Sequence, residues 1–494
     1  LVGEDVYLGM LDLSALFRRY SLPFDDRFPI FYLTADNFGE YEPEILRREL
    51  QEHVNTSNRR AIFIFDCDKQ ELTDIKNQIT STAVIKVHAY DIICLSHQDL
   101  KEIVTGPDPH EVLRHLILTQ ADLTRISDYN SSGATSQGMF FGREHELQQI
   151  CDLITSSDFI LVGGRRIGKT STLKQLERAR LPEAGFHAFY HECSFTPTQE
   201  DLVQAVTTDK SWFPDPPPEA PSSLAEVIYI LPDDKPSVIL LDEADKLIEN
   251  DRTAGYPIFN TLRALSSADR CRFVLCGERA LRAERTNPDS PLNNFGSEML
   301  IGRLERHAVT ELVSKPMSRL EITLDDESTI IQRIWRFTSG HPSVVQSLCQ
   351  QLVRKLSQRR DRLLTLKDVE AVVSDSRFLR KDFLDIYWER ATVLERLCSL
   401  VMAADQDVHT LTRAREVLID RGIEVTLNQV DEALERLVDL RNILERTDEG
   451  YKFAVTAFPE VIAKTARLDD LIALNCETYR LHGDVVPESH RGAK

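Results

Sequence analysis

The sequence lacks the features that mark disulfide-linked, zinc-binding and membrane-spanning proteins. Its nine cysteines are odd in number and scattered, and none forms a CxxC pair, so we expect buried free thiols. No apolar run approaches the ~20 residues that a helix needs to cross a bilayer. The opening LVGEDVYLGM has no initiator Met and no cationic region, which excludes a signal peptide and suggests that an upstream segment was trimmed. These absences favour a cytoplasmic protein that has no contact with a membrane.

An excess of positive charge is also absent, because 79 acidic residues outnumber 59 basic ones. The formal net charge is −20 and the isoelectric point is about 5.2, which excludes a uniformly basic surface. Because phosphate contacts dominate nucleic-acid affinity, strong non-specific DNA binding is disfavoured, although a local basic patch is not excluded. Hydrophobic residues make up 42% of the 494 residues, so each of about three domains can bury a core.

Apolar strand-like runs and helical patterns alternate in the first segment, residues 1–126. The pattern predicts strands at 28–34, 61–65 and 83–95, and helices at 42–54, 70–79 and 107–120. Alternation of this kind is typical of a small α/β domain with a parallel sheet. The polar, Ser- and Gly-rich stretch 127–139 then predicts a linker.

A second alternating region follows, and it gives way to helices. We predict strands at 159–163, 186–190, 237–241, 272–276 and 299–301, with a proline-dense surface excursion at 212–223. From residue 306 to 375 the patterns are amphipathic helices only. Helices at 382–404, 412–420 and 427–440 then precede two β-prone runs joined by DEG, which is the outline of a winged helix over 376–470, and residues 471–494 form a tail.

The run GGRRIGKT at 163–170 matches the phosphate-binding pattern G-x-x-x-x-G-K-[ST] between a predicted strand and a predicted helix. Its glycines allow a tight loop whose amides point at phosphates, and the helix adds its positive N-terminal end. The ammonium of Lys169 can reach the β- and γ-phosphates, and the hydroxyl of Thr170 can bind Mg²⁺. The pattern predicts a nucleotide-binding core over 140–305 whose loop residues are Gly163, Gly164, Arg165, Arg166, Ile167, Gly168, Lys169, Thr170 and Ser171.

A buried β-type run in SVILLDEADKL delivers Asp242 and Glu243 to the carboxyl end of its strand, where open α/β sheets bind ligands. We expect Asp242 to hold Mg²⁺ through water and Glu243 to orient or deprotonate the attacking water. The letters DEAD at 242–245 also occur in helicases. We disfavour that interpretation because the chain then becomes helical and no second helicase-like core follows.

Six blocks occur in a fixed order: MFFGREHEL, VGGRRIGKTSTL, VILLDEADKL, FVLCGER, LIGRLERHAVTELVSKPM and TSGHPSVVQSLCQQL. Together they resemble the STAND-type ATPases, the signal-transduction branch of the AAA+-like P-loop proteins, over about residues 139–465. The resemblance implies a P-loop ATPase core with a parallel sheet, a helical lid at 306–375 and a winged-helix domain. Here these follow the small N-terminal α/β domain.

The resemblance also implies roles for single residues. Phe141, Gly142 and Arg143 would line the adenine side, and Arg279 would sense the terminal phosphate. Gly340, His341 and Pro342 match the lid turn that contacts base and ribose, and the winged helix would pack on the nucleotide face in the ADP state. The arginines of the loop, Arg165 and Arg166, could contact phosphate, lid or solvent.

Two departures from the family pattern stand out. STAND proteins usually carry a C-terminal repeat array, whereas this chain ends soon after the predicted winged helix. The family often has a winged-helix histidine on the β-phosphate, and the nearest histidines here are His409 and His482, with His409 more typical of a solvated loop.

The sequence indicates the function of the N-terminal domain less clearly than that of the other domains. Asp66 and Asp68 follow a predicted strand and could bind a metal with help from Asp36 or His88, or they could be solvated acids or a helix N-cap. We interpret this domain as a sensor, effector or protein-docking module.

Three functions are therefore open. The first is a regulatory switch that binds ATP or ADP with Mg²⁺, hydrolyses ATP slowly and self-assembles in the ATP state. The second is a DNA-binding AAA+ ATPase of the origin-recognition or transposition-regulator type, which the mixed charges of 411–425 and 434–447 do not favour. The third is structural nucleotide binding without hydrolysis, against which Glu243 argues.

Overall fold

The computed structural model of the chain describes residues 6–13, 27–34, 60–73, 76, 91–130, 133–195, 198–210, 212, 213, 215, 217, 219–230, 235–388, 390–405 and 407–487. The chain divides into two units. One comprises residues 1–129, 313–327 and 349–368, and the other comprises 130–312, 328–348 and 369–494. The predicted helix 42–54, most of the predicted helix 70–79, and the residues Asp36 and His88 lie outside the described residues.

The sheet of the first unit has four strands in the order β1-β2-β3-β4. They are β1 Val6–Asp12, β2 Arg27–Thr34, β3 Arg60–Asp66 and β4 Asp91–Ser96. Strands β2, β3 and β4 are parallel as predicted, and the rings of Phe31 and Phe63 stack at 4.8 Å on neighbouring strands. Strand β1 was not predicted, and it pairs antiparallel with β2 at the edge of the sheet.

Three helices follow this sheet: His97–Thr105, Pro109–Gln120 and Leu123–Ile126. The first begins at a capping box, because the Ser96 hydroxyl accepts from the amide of Asp99 while the Asp99 carboxylate accepts from the amide of Ser96. Pro109 takes the first position of the second helix, where its missing N–H costs nothing.

The sheet of the second unit has five parallel strands in the order β6-β7-β8-β5-β9. They are β5 Phe159–Gly163, β6 His187–Glu192, β7 Ser237–Asp242, β8 Cys271–Cys276 and β9 Ser297–Ile301. All five were predicted, and the predicted ends lie within two residues of those observed. Because successive side chains of a strand face opposite ways, Ile160 and Val162 enter one apolar cluster and Phe159 and Leu161 the other. Both faces of the sheet are therefore buried, as is usual for parallel sheets.

Helices cover this sheet. They are Glu144–Leu153, Lys169–Gln175 (continued by a π-helical turn at Leu176–Arg180 and by Leu181–Glu183), Gln199–Thr208, Leu224–Ile230, Asp245–Thr253, Pro257–Ser267 and Arg279–Thr286.

The predicted lid region is not helical throughout. Its helices are Arg306–Arg319, Glu327–Thr338, Pro342–Arg359 and Leu366–Val373. Two short strands, β10 Thr323–Leu324 and β11 Leu363–Leu364, pair in parallel between them. The expectation of helices alone was wrong here because a two-residue strand is too short to leave a periodic signal.

The C-terminal region contains helices and one antiparallel hairpin, formed by β12 Leu444–Thr447 and β13 Gly450–Phe453. Its helices are Ser376–Phe378, the π-helical turn Leu379–Leu384, Asp385–Trp388, Val393–Ala404, Leu411–Asp420, Leu427–Asp439, Phe458–Thr465 and Leu468–His482. The predicted single helix 382–404 is wrong, because Thr392 caps a new helix with Glu395 as its capping-box partner. The hairpin follows helices as predicted, but the helices Phe458–Thr465 and Leu468–His482 after it were not predicted, and the second covers part of the predicted tail. The winged-helix assignment stays a prediction.

Within the described residues, no helix combines the length and apolar character that a membrane crossing requires.

Candidate functional site

The phosphate-binding pattern forms the turn between β5 and the helix Lys169–Gln175. Strand β5 lies between β8 and β9, so the loop leaves the interior of the sheet at its carboxyl edge. The ammonium of Lys169 donates to the carbonyl oxygens of Gly163 and Gly164, both at 3.0 Å. Lys169 is only 7% exposed, so its charge is held inside the loop.

The loop is also packed against the C-terminal region of the same unit. A Cβ placed on Gly164 would lie 2.6 Å from the carbonyl oxygen of Leu440 and 2.6 Å from the side-chain nitrogen of Asn442. Only glycine fits at this position while the turn after the helix Leu427–Asp439 rests on the loop. Beside this contact, the guanidinium of Arg282 on the helix Arg279–Thr286 pairs with Asp439, the last residue of the helix Leu427–Asp439, at 2.5 Å. The turn and the phosphate loop are therefore in direct contact.

Two acids lie at the carboxyl end of β7, which is separated from β5 by β8 in the sheet. Asp242 is 1% exposed, and its carboxylate accepts from the hydroxyl of Tyr190 on β6 at 3.0 Å. Burial and the nearby Asp242 raise the pKa of Tyr190 far above its ordinary value, so the phenol stays a donor. Glu243 follows with a left-handed backbone, φ 50°, which turns the chain sharply at the strand end.

Glu243 has the electrostatic setting of a proton acceptor. Burial raises its pKa, Lys169 acts in the opposite direction, and Asp242 and Glu278 add to the rise, so the pKa lies above its ordinary value. A carboxylate with a raised pKa is a better general base at neutral pH than an ordinary glutamate.

A third acid, Glu278, follows β8 and was not predicted. Its Oε1 lies 3.6 Å from the ammonium of Lys169, and its Oε2 lies 3.3 Å from Nη1 of Arg390. Burial acts to raise the pKa of Glu278, but Lys169, Arg390 and Arg441 outweigh burial and hold it below its ordinary value. Glu278 is therefore an ionised carboxylate between two cations.

Asp245, the last acid of the DEAD string, fixes the position of Glu278. Its carboxylate accepts from the amides of Glu278 and Ala280, both at 2.6 Å, at the start of the helix Arg279–Thr286. Here the second aspartate of the string caps a helix, which is a structural role that needs no helicase activity.

A cavity of about 470 Å³ opens at this edge of the sheet. Lys169, Thr170 and Ser171 line it together with the acids of β7 and β8. Of the predicted site residues, the cavity brings together Arg165, Arg166, Gly168, Lys169, Thr170, Ser171, Asp242, Glu243 and Pro342.

A smaller cavity of about 40 Å³ adjoins the loop on its other side. It is mostly apolar, and the predicted residues that line it are Phe141, Arg143, Ile167, Gly168, Ser171 and Pro342. Gly168, Ser171 and Pro342 line both cavities, so an apolar recess continues from the phosphate loop. A flat base beside a charged phosphate tail matches this division into apolar and polar parts.

Other predicted residues support the site without lining either cavity. Gly340 has φ +78°, and a Cβ there would lie 2.4 Å from the carbonyl oxygen of Leu304. Next to it, His341 is 2% exposed and meets the ring of Tyr387 edge-on at 5.2 Å, and it lines neither of these two cavities. Gly142 is buried against Ala308.

The structure describes the side chain of one of two predicted arginines, Arg143, but not that of the other, Arg279. The guanidinium of Arg143 donates to the carbonyl oxygens of Ile167 at 3.2 Å and of Gly302, and it pairs with Glu146 at 3.1 Å. Arg143 therefore connects the phosphate loop to the end of β9 through hydrogen bonds, and its charge is paired with Glu146. The side chain of Arg279 lies outside the described part of the chain, and its phosphate-sensing role stays a prediction.

The donor set suits magnesium. The hydroxyl of Thr170 and the carboxylate of Asp242 line the same cavity and are the hard oxygen ligands that Mg²⁺ prefers. In the described ranges, no three His, Cys, Asp or Glu side chains converge on one metal position. Such a site would complete its shell with water and phosphate oxygens, as Mg²⁺ sites in nucleotide-binding proteins commonly do.

The structure shows how one of the two acids of the N-terminal domain is used locally. The carboxylate of Asp68 accepts from the amides of Gln70 and Glu71 at 2.8 and 2.9 Å, so it caps the helical turn that follows β3. Asp66, at the end of β3, is exposed. Asp68 is therefore a helix N-cap and Asp66 a solvated acid, while Asp36 and His88, the other residues of the metal hypothesis, lie outside the described residues.

Several residues that line the larger cavity were not predicted from the sequence. Thr135 lies in the predicted linker, yet its amide donates to the hydroxyl of Ser171 at 3.2 Å. The others are Asn130, Gly133, Ala134, Lys174, Glu192, Glu278, Ser343 and Gln346. Glu278 could have been found, because it follows a buried parallel strand just as Asp242 and Glu243 do.

A parallel sheet with the strand order seen here, a glycine-rich loop with a buried lysine after β5, and an acid pair at the end of β7, one strand beyond β8, define a P-loop NTPase. The family model of Novel STAND NTPase 1 matches residues 130–482, which is more than half of the chain. The chain belongs to this family, as the resemblance in its sequence implied.

Solved structures show lesser likenesses. The Walker-type ATPase of Pyrococcus abyssi is 18% identical, with a TM-score of 0.48 over 68% of this chain and 99% of that one. The ORC2 protein of Aeropyrum pernix is 14% identical, with a TM-score of 0.48 over 69% of this chain and 94% of that one. A RuvB variant of Thermotoga maritima is 13% identical, with a TM-score of 0.37 over 65% and 95% of the two chains. No curated protein matches the chain.

Proposed function

We propose that the protein is a nucleotide-dependent regulatory switch that binds ATP or ADP with Mg²⁺ and hydrolyses ATP slowly. One observation carries the proposal. Lys169, Thr170, Asp242 and Glu243 line a single cavity at the carboxyl edge of a parallel sheet. These four side chains are what binding and cleaving a triphosphate requires: a cation, two oxygen ligands and a base.

Each residue has a distinct task in this proposal. Lys169 and the loop amides bind the β- and γ-phosphates, while Thr170 and Asp242 hold Mg²⁺, which neutralises developing phosphate charge when bound. Glu243 accepts a proton from the attacking water or orients it. Pro342 and Phe141 form the base side of the site, and Arg279 responds to the terminal phosphate.

The contact of the C-terminal region with the phosphate loop supports a switch. The turn Leu440–Asn442 rests on Gly164, so the loop cannot rearrange around a nucleotide without affecting this packing. A nucleotide shifts such an equilibrium only by its difference in affinity for the two states. In the proposal, ATP favours the opened state, which self-assembles, and the N-terminal domain docks a protein partner.

Size measurement with matched variants tests the proposal. Glu243→Gln should bind ATP and keep it, so on a sizing column with light scattering it should be larger with ATP than with ADP. Lys169→Ala should bind neither nucleotide and should elute alike with both. An unchanged mass of Glu243→Gln in ATP and ADP, with ATP binding shown by calorimetry, would refute the switch.

The alternative of a DNA-binding ATPase draws less support from the structure. In the region that would read DNA, Arg413 pairs with Glu416, Arg436 with Glu395, and Arg446 with Glu435. Their charges are thus largely balanced within the protein. Retention on duplex DNA at 50 mM salt that is lost at 200 mM would favour this alternative, because phosphate contacts produce a steep salt dependence.

A further inference from the structure

Glu278 places a buried carboxylate beside the ammonium of Lys169. It lines the same cavity as Lys169, Thr170 and Asp242. Its carboxylate faces the ammonium of Lys169 at 3.6 Å, and that ammonium is the group that the proposed function assigns to nucleotide phosphates. An incoming phosphate and Glu278 must therefore share or compete for one buried cation.

The position of this carboxylate is held from two sides. Asp245 accepts from the amide of Glu278 at 2.6 Å and so fixes its backbone at the end of β8. Arg390 approaches the other carboxylate oxygen at 3.3 Å. The approach is itself supported, because Arg441 donates to the carbonyl oxygen of Arg390 at 2.7 Å and pairs with Glu395 at 2.7 Å.

The chain of contacts joins the two ends of the site. It runs from Lys169 through Glu278 to Arg390, and from Arg441 to the turn that rests on Gly164. A carboxylate that leaves Lys169 still has Arg390 as a partner, so it need not become a buried unpaired charge, which would be costly.

We propose that Glu278 is an internal competitor for Lys169 that sets the affinity of the site for phosphates, and that Arg390 retains its carboxylate when a nucleotide displaces it. The inference rests on the proposed function. It deepens that function by naming a positioning residue that acts on nucleotide binding through Lys169.

The test is calorimetric titration of ADP, ATP and adenosine, with Mg²⁺ present, into wild type and Glu278→Gln. Because glutamine keeps the shape and removes the charge, the variant should bind ADP and ATP roughly tenfold more tightly. Adenosine, which has no phosphate, should bind both proteins alike. A gain in affinity cannot arise from damage to the fold, so this readout separates competition from a merely structural role.

Two further variants sharpen the result. Glu298→Gln removes a carboxylate that pairs with Arg285 and does not line the cavity, so it should leave ADP affinity unchanged. Arg390→Met should weaken ADP binding, because Glu278 is then left to Lys169 alone. In the double variant Glu278→Gln with Arg390→Met, the effect of Arg390 should vanish, since it acts through Glu278.

The outcomes separate the two ideas. If wild type binds ADP and Glu278→Gln binds it no more tightly, or gains equally for adenosine, the competitor is refuted while the nucleotide site stands. If neither protein binds ADP or ATP, the proposed function itself fails. If Glu278→Gln does not fold, Arg390→Met decides alone, and wild-type ADP affinity in that variant overturns the inference.

Discussion

The hydroxyl of Tyr190 donates a hydrogen bond of 3.0 Å to the carboxylate of Asp242 on the adjacent strand. Strands β6 and β7 are parallel, and Tyr190 is paired with Leu240, two residues before Asp242. The two side chains therefore emerge on the same face and meet at the edge where the cavity opens. Tyr190 restricts which carboxylate oxygen of Asp242 remains available to a metal.

Replacing Tyr190 with Phe should weaken binding that depends on magnesium. The ring remains, but Asp242 loses the donor that orients it, and loss of such a supporting contact typically costs about tenfold in metal affinity. ADP titrations with Mg²⁺ should therefore show roughly tenfold weaker binding, while titrations in a chelator should match wild type. Tyr256→Phe is the control, because Tyr256 donates to Glu284 instead. Equal losses with and without Mg²⁺ would contradict the metal role.

The raised pKa of Glu243 predicts the pH dependence of hydrolysis. A general base works only when ionised, so kcat/KM for ATP should fall as pH is lowered through the pKa of Glu243 in the free protein. Burial raises that pKa, and the negative charges of Asp242 and Glu278 raise it further. Together they outweigh the opposite effect of Lys169, so the pKa lies above the ordinary 4.5. We expect the acidic limb of the rate profile to have its midpoint above that value.

Glu243→Gln provides the comparison for this limb. The variant should retain ADP binding and show a rate near background across the whole pH range. A midpoint at or below 4.5 in wild type, or hydrolysis that survives the substitution, would show that Glu243 is not the base.

His341 predicts a pH dependence of stability. Burial, followed by the charges of Arg303 and Arg166, lowers its pKa from 6.5 to about 3. The unfolded chain therefore takes up a proton below pH 6.5 that the folded chain refuses, so this residue lowers stability as pH falls through that window. Between pH 7 and 5.5, the loss due to His341 should be about 1.2 kcal/mol.

Urea unfolding of wild type and His341→Phe at both pH values measures this term. Phe keeps a ring beside Tyr387 and cannot be protonated. The loss of stability between pH 7 and 5.5 should be smaller in the variant by about 1.2 kcal/mol, whatever the substitution does at pH 7. Identical pH dependences in the two proteins would mean that His341 titrates normally.

The site residues that could be predicted from the sequence are those whose position follows from the secondary structure around them. Lys169, Thr170, Asp242 and Glu243 were predicted because each has a fixed place relative to a strand end, and parallel strand ends meet at one edge. The sheet of the second unit was predicted for the same reason, since its buried strands are continuous apolar runs.

Contacts between distant residues left no such signal. Nothing in the spacing of Glu278 and Arg390, or of Gly164 and Asn442, indicates that they meet. Thr135 was assigned to a linker by composition, although its segment lies on the helix that follows the phosphate loop. For His341 the pattern located a turn, but it could not tell that the side chain faces Tyr387.

The packing of the C-terminal turn on the phosphate loop can be tested without any nucleotide. A methyl group on Gly164 would lie 2.6 Å from the backbone carbonyl oxygen of Leu440 and 2.6 Å from the buried side-chain nitrogen of Asn442. Neither atom can easily move away. Gly164→Ala should therefore lower the free energy of unfolding by about 1–3 kcal/mol, the usual range for overpacking. Urea unfolding of the nucleotide-free protein measures the change.

Gly302→Ala is the matched control, because a Cβ there meets nothing within 4 Å. Its free energy of unfolding should stay within about 0.5 kcal/mol of wild type. If Gly164→Ala is equally silent, the turn does not press on the loop in solution, and the C-terminal region must respond to nucleotide by another route. If Gly164→Ala weakens only the packing of the C-terminal turn on the phosphate loop, limited proteolysis should cut the C-terminal region faster in this variant. The sheet should stay protected, because local opening precedes global unfolding.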